Sequence, residues 1–515
     1  MTEYPAQSRP TPGMIPAGVA GALAAGAALA ATELLAGLVA GAPSVVLEIG
    51  ALLISLQPPG AKQIVVDLFG TADKAVLEIA VVLGALGLAG GLGVVSRQRP
   101  GLGRLGLAGI GILGLFAALR DPLVEPLLAL LSGAAGVVLA IWLLGTLLRL
   151  ASPSGIAEMP DWSRRRFIGS SVGLAGVAVA GAGLGRLLLN QRGAAAPVLT
   201  GIPAAGQPVS PLGADASLDV PGLSDIVTAN QTFYRIDTSL FTPRLDVETW
   251  QLSVDGMVAH PFTLNYADLL AMPQHEQYVT IACVSNEVGG DLVGNALWKG
   301  VRLRELLDRA GVQSGATQVV GRSYDGWTAG FPTAWLAEPG REALVALAMN
   351  GEPLPPGHGF PARLIVPGLY GYVSATKWLT QIQLTTLEAF DAYWIPLGWA
   401  KEAPILTQSR IDVPRGGATL AAGQIAVAGV AWAPDRGVAA VEVQIDDQPW
   451  TPAVISAPIS DATWVQWLYR WDAPAGNHVI RVRATDGDGV VQTDAHTRPA
   501  PDGSRGRHTI GLTVR

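Results

Sequence analysis

Between Met14 and Leu189 the chain is a series of Ala-, Gly-, Leu- and Val-rich runs broken by short polar stretches. Runs of this length and apolarity leave few options for folding. In hydrocarbon every backbone N–H and C=O must be satisfied within the segment, so such runs become helices that cross a bilayer. Met14–Ala40 is long enough for one crossing and Lys74–Val95 for a second. Leu105–Ala118 reads as a third at marginal length, and Leu123–Leu150 as a fourth. Val45–Leu56 is apolar but short, which suits a re-entrant or interfacial piece. Abundant small residues favour close helix packing in lipid.

Charge sets the expected orientation. Arg97, Arg99 and Arg104 lie between the second and third runs, and Arg149, Arg164, Arg165 and Arg166 follow the fourth. Asp67 and Asp73 occupy one of the alternate loops, and Asp121 and Glu125, beside a single Arg120, the other. Basic loops face the cytoplasm, so four crossings return the chain to the cytoplasm before Asp161. Ser163-Arg164-Arg165-Arg166-Phe167-Ile168 then precedes the apolar run Ile168–Leu189. This looks like a twin-arginine export signal placed inside the chain, with an ordinary positive-inside flank as the other reading. Both place everything after about residue 190 outside the membrane. Ala194-Ala195-Ala196 offers a cleavage site, although retention as a fifth span is expected. No histidine occurs in the first 250 residues, which excludes a bis-histidine haem in these helices. Glu33 and Glu78 are the acids to note there, but the expected role of this half is anchoring.

Composition narrows the remainder. Half of the 515 residues are hydrophobic and 15% are charged, and the net charge of −7 comes without a basic stripe, so nucleic acid is not an expected partner. A single cysteine excludes an intrachain disulfide, a four-cysteine zinc site and a C-x-x-C-H haem attachment.

That cysteine sits in the chain's most informative stretch, Cys283-Val-Ser285-Asn286-Glu287-Val288-Gly289-Gly290. The β-prone Tyr278–Ala282 delivers the thiol to a strand end, and polar and glycine residues then form a loop that lets a ligand approach the backbone. Arg302–Leu307 reads as a short amphipathic helix. By composition a lone cysteine is a small buried hydrophobe; at a glycine-lined strand end it also suits a soft metal or nucleophilic attack. Two further motifs stand out: Phe233-Tyr234-Arg235-Ile236-Asp237-Thr238, and His358-Gly359-Phe360-Pro361-Ala362-Arg363 continuing to Ser374-Ala375-Thr376-Lys377-Trp378.

Together these segments resemble the sulfite oxidase family, over roughly residues 230–515. The resemblance implies a molybdenum–molybdopterin cofactor (a pyranopterin dithiolene) with Cys283 as the protein's sulfur ligand to the metal. It implies cofactor contacts from Tyr234, Arg235, Asp237, Thr238, Ser285, Asn286, His358, Arg363, Ser374, Thr376 and Lys377. These residue types suit a phosphate-bearing pterin. Arginine forks onto phosphate, lysine adds a point charge, and hydroxyls and turn N–H groups complete the shell. Arg235 otherwise reads as half of a surface ion pair, and Gly368 and Gly371 as turn residues. In Ser323–Pro332, Trp327 best matches a substrate-facing tyrosine of the family, which makes Cys283, Arg235 and Trp327 the expected catalytic set. Sulfite-oxidising members carry arginines just after the cysteine core, where this chain has Glu287 and Val288. An acid there repels an anion, so a neutral sulfoxide, N-oxide or other small oxo acceptor fits better than sulfite.

After Pro404 short alternating strands appear, including Val441–Ile445, Ile480–Ala484 and Ile510–Val514, separated by Asp- and Gly-containing turns. They predict an antiparallel sandwich of immunoglobulin type and resemble the family's dimerisation domain, implying a homodimer. The tryptophans between Trp464 and Trp471 read as core or interface.

The expected fold is therefore multi-domain: an all-α transmembrane region, an α+β molybdopterin domain of sulfite oxidase type and a C-terminal immunoglobulin-like β-sandwich. The expected divisions are a disordered tail (1–13), four transmembrane helices (14–150), the twin-arginine-like motif and fifth helix (151–192), an Ala/Gly/Pro/Ser linker (193–228), the catalytic domain (229–403) and the sandwich (404–515). The expected function is oxygen-atom transfer on a small substrate by a membrane-anchored extracytoplasmic enzyme. Without a haem or iron–sulfur motif, electrons pass through a separate protein or a membrane quinone-linked carrier. A sulfite dehydrogenase, or a non-catalytic tethered binding module with a decayed cofactor site, are the alternatives.

Overall fold

The structure, a computed structural model, describes residues 13–57, 68–69, 73–121, 124–152, 162–194, 201–206, 208–239, 242–243, 245–338 and 341–515. Residues 1–12 of the expected tail (1–13), Asp67 and the Ala195–Ala196 part of the cleavage site lie outside these residues. The chain forms two compact units, one helical and one globular.

In the helical unit, Met14–Leu38, Lys74–Val95, Pro100–Ala118, Pro126–Ala151 and Arg165–Gln191 are long and apolar enough to cross a membrane. Val45–Ser55 is the shorter apolar helix. The helix at Pro100 begins before the expected Leu105, because proline fits the first helical turn, where its missing N–H costs nothing. Helix Met14–Leu38 is the centre of the packing, and its Ala17, Ala20 and Ala24 are fully buried. A Cβ on Gly21 would meet the Ala89 carbonyl oxygen at 2.0 Å, and one on Gly93 the Ala17 oxygen at 2.2 Å, so backbones touch where only glycine fits. Glu33 is buried and accepts hydrogen bonds from Ser44 Oγ (2.7 Å) and the Val46 N–H (3.3 Å). Arg186 lies 3.8 Å from Glu33 and also pairs with Glu78. The two acids singled out in the sequence thus share one arginine.

The globular unit starts with residues expected to be a linker. Residues 201–206 and 208–228 instead pack on its body, held by backbone bonds such as Gly206 N–H to Gln274 O (3.1 Å) and Thr228 N–H to Asn295 O (2.8 Å). Irregular backbone pairing of this kind has no sequence period, so the segment looked unstructured. Two sheets follow. One has the order Phe262–Asn265, Gln251–Gly256, Leu379–Thr385, Gln318–Ser323, Thr328–Pro332. The other runs His275–Ala282, Val293–Arg302, Leu344–Met349, Glu352–Pro353, with Arg363–Ile365 also paired to Leu344–Met349. Helix Leu303–Ala310 buries Leu303, Leu306 and Leu307 and ends at Gly311 in the left-handed conformation. This α+β body contains the thiol loop and the basic segment.

The C-terminal part is a two-sheet sandwich, antiparallel except where Thr419–Leu420 pairs parallel with Thr509–Val514. One sheet has the order Gln408–Val413, Gly423–Trp432, Val465–Ala473, Val454–Ile455. The facing sheet is Thr419–Leu420, Thr509–Val514, Gly476–Asp486, Val438–Ile445, Thr451–Pro452. Inward residues of both, including Val427, Trp467, Val443, Val482 and Leu512, form one core. Trp464 is pinned to the α+β body: its N–H donates to Thr280 Oγ1 (2.8 Å) and its Nε1 to Ile226 O (2.8 Å).

Candidate active site

Strand His275–Ala282 pairs antiparallel with Val293–Arg302, Ala282 opposite Val293, and the loop between them begins with Cys283. The loop is braced internally. Cys283 N–H donates to Leu292 O (2.9 Å), and buried Asn286 accepts from Leu292 N–H through Oδ1 (2.9 Å). Gly289 has φ +81°, and a Cβ there would come within 2.4 Å of the His508 ring. Only glycine satisfies both the conformation and the contact. The thiol is 9% exposed. The phenols of Tyr234 and Tyr370 lie within electrostatic reach of it, and burial pushes the ionisation of both upward, so both are neutral donors at ordinary pH.

From Tyr234 the site continues into a cationic pocket. Arg363 is buried, donates Nη1–H to His358 O (3.1 Å) and has its guanidinium carbon 5.3 Å from the Trp298 ring centroid. Burial brings its ionisation down to about 10. His358 is held by Nε2, 3.0 Å from Asn230 O, which makes Nε2 the protonated nitrogen. Burial, with Arg363 and Lys377 adding repulsion, brings His358 down to about 4, so the ring is neutral. Lys377 Nζ donates to Gly357 O (3.1 Å) and lies 3.2 Å from Asp237 Oδ2, which Arg235 Nε also approaches at 3.1 Å. Burial lowers Lys377 to about 8, with Asp237 opposing the shift.

The pocket carries two diagnostic orphans. Arg363 Nε–H and His358 Nδ1 are buried with no hydrogen-bond partner among the described residues. Buried polar groups are rarely left unpaired, and these form a specific pair: an ionic donor and, in this tautomer, a neutral acceptor. An oxyanion or ring carbonyl fits the first and a ring N–H the second. A pterin with a phosphate supplies both kinds of group, so the residues present fit the cofactor.

The sequence-derived residues do not all converge. Cys283, Tyr234, Arg363, His358, Lys377, Asp237 and Arg235 form one continuous set. Thr238 follows Asp237 at the edge of that set, and Ser285 is half-buried in the thiol loop. Ser374 Oγ donates to Tyr370 O (3.0 Å) and Thr376 Oγ1 to Gly321 O (3.4 Å), so both hydroxyl protons brace backbone. Trp327 lies on the turn joining Gln318–Ser323 to Thr328–Pro332, where its N–H donates to Asp325 Oδ1 (3.2 Å). That turn is attached to the basic segment through Tyr324 N–H to Trp378 O (2.8 Å). It therefore borders the Lys377 end of the pocket. Sequence reasoning missed Tyr370, which lies between the turn residues Gly368 and Gly371, and the loop around Asp502–His508, which has no periodic signal.

Residues 239–394 match the family described as "Oxidoreductase molybdopterin binding domain". The chain is 37% identical over 181 residues to the uncharacterized oxidoreductase YuiH of Bacillus subtilis, covering 35% of this chain and 85% of that protein. It is 29% identical over 320 residues to human mitochondrial sulfite oxidase, covering 52% of this chain and 57% of that protein. It is 32% identical over 177 residues to the NADH nitrate reductase 1 of Oryza sativa subsp. japonica, covering 29% of this chain but 19% of the reductase. The buried thiol, the cationic pocket with its orphaned atoms and these likenesses agree: the chain belongs to the sulfite oxidase family and is a molybdopterin-dependent oxidoreductase.

Proposed function

We propose that this chain is a membrane-anchored enzyme, with its globular unit on the extracytoplasmic side, that reduces a small neutral sulfoxide or N-oxide. Five helices among the described residues, long and apolar enough to cross a membrane, support the anchoring. The arginine-rich segment at residues 163–168 supports the orientation and the export reading. When bound, the molybdenum centre supplies two-electron oxygen-atom transfer. Cys283 would hold it as thiolate, while Arg363, His358, Lys377 and Arg235 would seat the pterin and its phosphate. Tyr234 and Tyr370, neutral and within electrostatic reach of the thiol, would donate hydrogen bonds to the substrate oxygen. Two electrons and two protons convert a sulfoxide to a sulfide and one water. The electrons come from a separate redox protein or a quinone-linked carrier.

The observation that carries the substrate class is the charge of the thiol loop. From Cys283 to Leu292 its only ionisable side chains besides the thiol are Glu287 and Asp291, both exposed. A loop of that sign repels sulfite dianion and tolerates a neutral S–O or N–O dipole. Sulfite oxidation is the second reading, favoured by the likeness to human sulfite oxidase. The sandwich is of immunoglobulin type and pairs two copies of the chain. Steady-state assays of the detergent-solubilised full chain test the substrate class, with reduced viologen and sulfoxides or N-oxides in one direction and sulfite with a dye acceptor in the other. Saturable sulfoxide or N-oxide reduction is expected; saturable sulfite oxidation without it overturns the proposal.

A further inference from the structure

The segment before the last strand of the sandwich folds over the thiol loop. Ser504 Oγ donates to Asn286 O, the His508 ring lies against Gly289, and a Cβ on Gly506 would sit 3.4 Å from Val288 Cγ2. Gly503 packs on the Tyr370 hydroxyl, where a Cβ would be 2.6 Å from the oxygen. Tyr370 in turn lies within electrostatic reach of Cys283, Arg505 and Asp502, and Tyr372 within reach of Asp502. The sandwich thus brings one arginine and one aspartate to the tyrosine beside the thiol.

These two charges are locked together. Arg505 forks onto Asp502, Nη1 to Oδ1 at 3.0 Å and Nη2 to Oδ2 at 2.6 Å. Each side chain is 35% exposed. A pair that open to water adds little to stability, so its place beside Tyr370 calls for another explanation. A guanidinium is the side chain best suited to grip an oxyanion, and it does so through the same two-pronged contact that Asp502 already occupies. A dianion taking that same fork would displace Asp502 and leave the carboxylate unpaired, and one approaching the Nε–H side would lie beside the Asp502 carboxylate and be repelled by it. A neutral S–O or N–O oxygen needs only one donor, and three of the five arginine N–H groups are not used by Asp502.

We propose that the Asp502–Arg505 pair selects substrates by charge at the mouth of the thiol pocket: Asp502 occupies the fork of Arg505, so the entrance admits neutral polar substrates and turns away oxyanions. This deepens the substrate reading above and rests on it. The pair acts on binding and takes no part in the bond-breaking step.

The test uses the full-length, molybdenum-loaded protein in detergent and sulfate as the probe, read both as a competitive inhibitor of sulfoxide reduction and by equilibrium dialysis of radiolabelled sulfate. Asp502→Asn frees the fork, and sulfate binds at least about tenfold more tightly than to the wild type, the scale of one charge-assisted hydrogen bond. Asp502→Ser carries the same expectation should the asparagine variant fold poorly. Asp502→Glu retains wild-type affinity, and adding Arg505→Gln to Asp502→Asn abolishes the gain. Equal sulfate affinity in the wild type and both charge-removing variants overturns the proposal, as does a gain that survives loss of Arg505. Dialysis needs no turnover. A protein that oxidises sulfite and ignores sulfoxides sinks the substrate reading, whereas a sulfoxide reductase without the sulfate shift sinks this inference alone.

Discussion

Replacing Arg363 with methionine separates a cofactor contact from a structural ion. Burial holds Arg363 down at about 10 from an ordinary 12.5. At about 1.4 kcal/mol per pH unit, ionisation in this pocket is penalised by about 3 kcal/mol. Two contacts oppose that penalty. The charged hydrogen bond to His358 O contributes about 1.5–3 kcal/mol. The stacking over Trp298 adds about 0.5–2 kcal/mol. The terms nearly cancel, so Arg363→Met changes the stability of the cofactor-free chain by no more than about 2 kcal/mol. The loaded protein responds differently, because the orphaned Nε–H and the full charge are then lost from the pterin site, and retention falls at least about tenfold. Urea unfolding of the stripped, detergent-solubilised chain, followed by tryptophan fluorescence, reads the first quantity. Molybdenum and released pterin per chain read the second. A loss above about 4 kcal/mol in the stripped chain, or unchanged cofactor content, refutes the reasoning.

Three other outcomes follow from the geometry. Cys283→Ser replaces a soft thiolate by a hydroxyl, so molybdenum content and turnover fall together while pterin, held by the cationic pocket, is still released on denaturation. His358 is held at about 4, below its ordinary 6.5, so its contribution is complete above pH 6.5 and is lost as pH falls from 6.5 toward 4. By pH 4.5 the wild type, stripped of cofactor, loses about 2–3 kcal/mol relative to His358→Gln, and a pH-independent difference contradicts the assignment. Gly289→Ala forces φ +81° on an L-residue and a Cβ into the His508 ring. It destabilises the globular unit by at least about 2 kcal/mol and lowers molybdenum content, both measurable on one preparation.

The thiol loop and the basic segment were legible because each is compact in sequence and built from residue types with restricted uses. A cysteine leading a polar and glycine-rich loop, and an arginine, a histidine and a lysine within residues 358–377, carry their chemistry locally. The apolar runs were legible for a similar reason, since spanning a bilayer demands length and little else. Hydroxyl direction was not legible: Ser374 and Thr376 stand among the expected cofactor contacts yet spend their protons on the carbonyls of Tyr370 and Gly321. The closing side of the site was not legible either. Ser504 meets Asn286 across 218 residues of chain, and no local pattern encodes a contact of that range. Arg186 escaped notice because only the packed helices bring it to Glu33 and Glu78.

The contact of Ser504 and His508 with the thiol loop also fixes an order of events during biogenesis. A ribosome makes Cys283 and Lys377 long before it makes residues 502–508, and until those emerge one wall of the pocket is missing. Strand His275–Ala282, although paired with Val293–Arg302, also lacks its tie from Thr280 to Trp464 until the sandwich has formed. Truncation before Ser504 is therefore expected to lower molybdenum content by removing contacts to a thiol loop more than two hundred residues upstream.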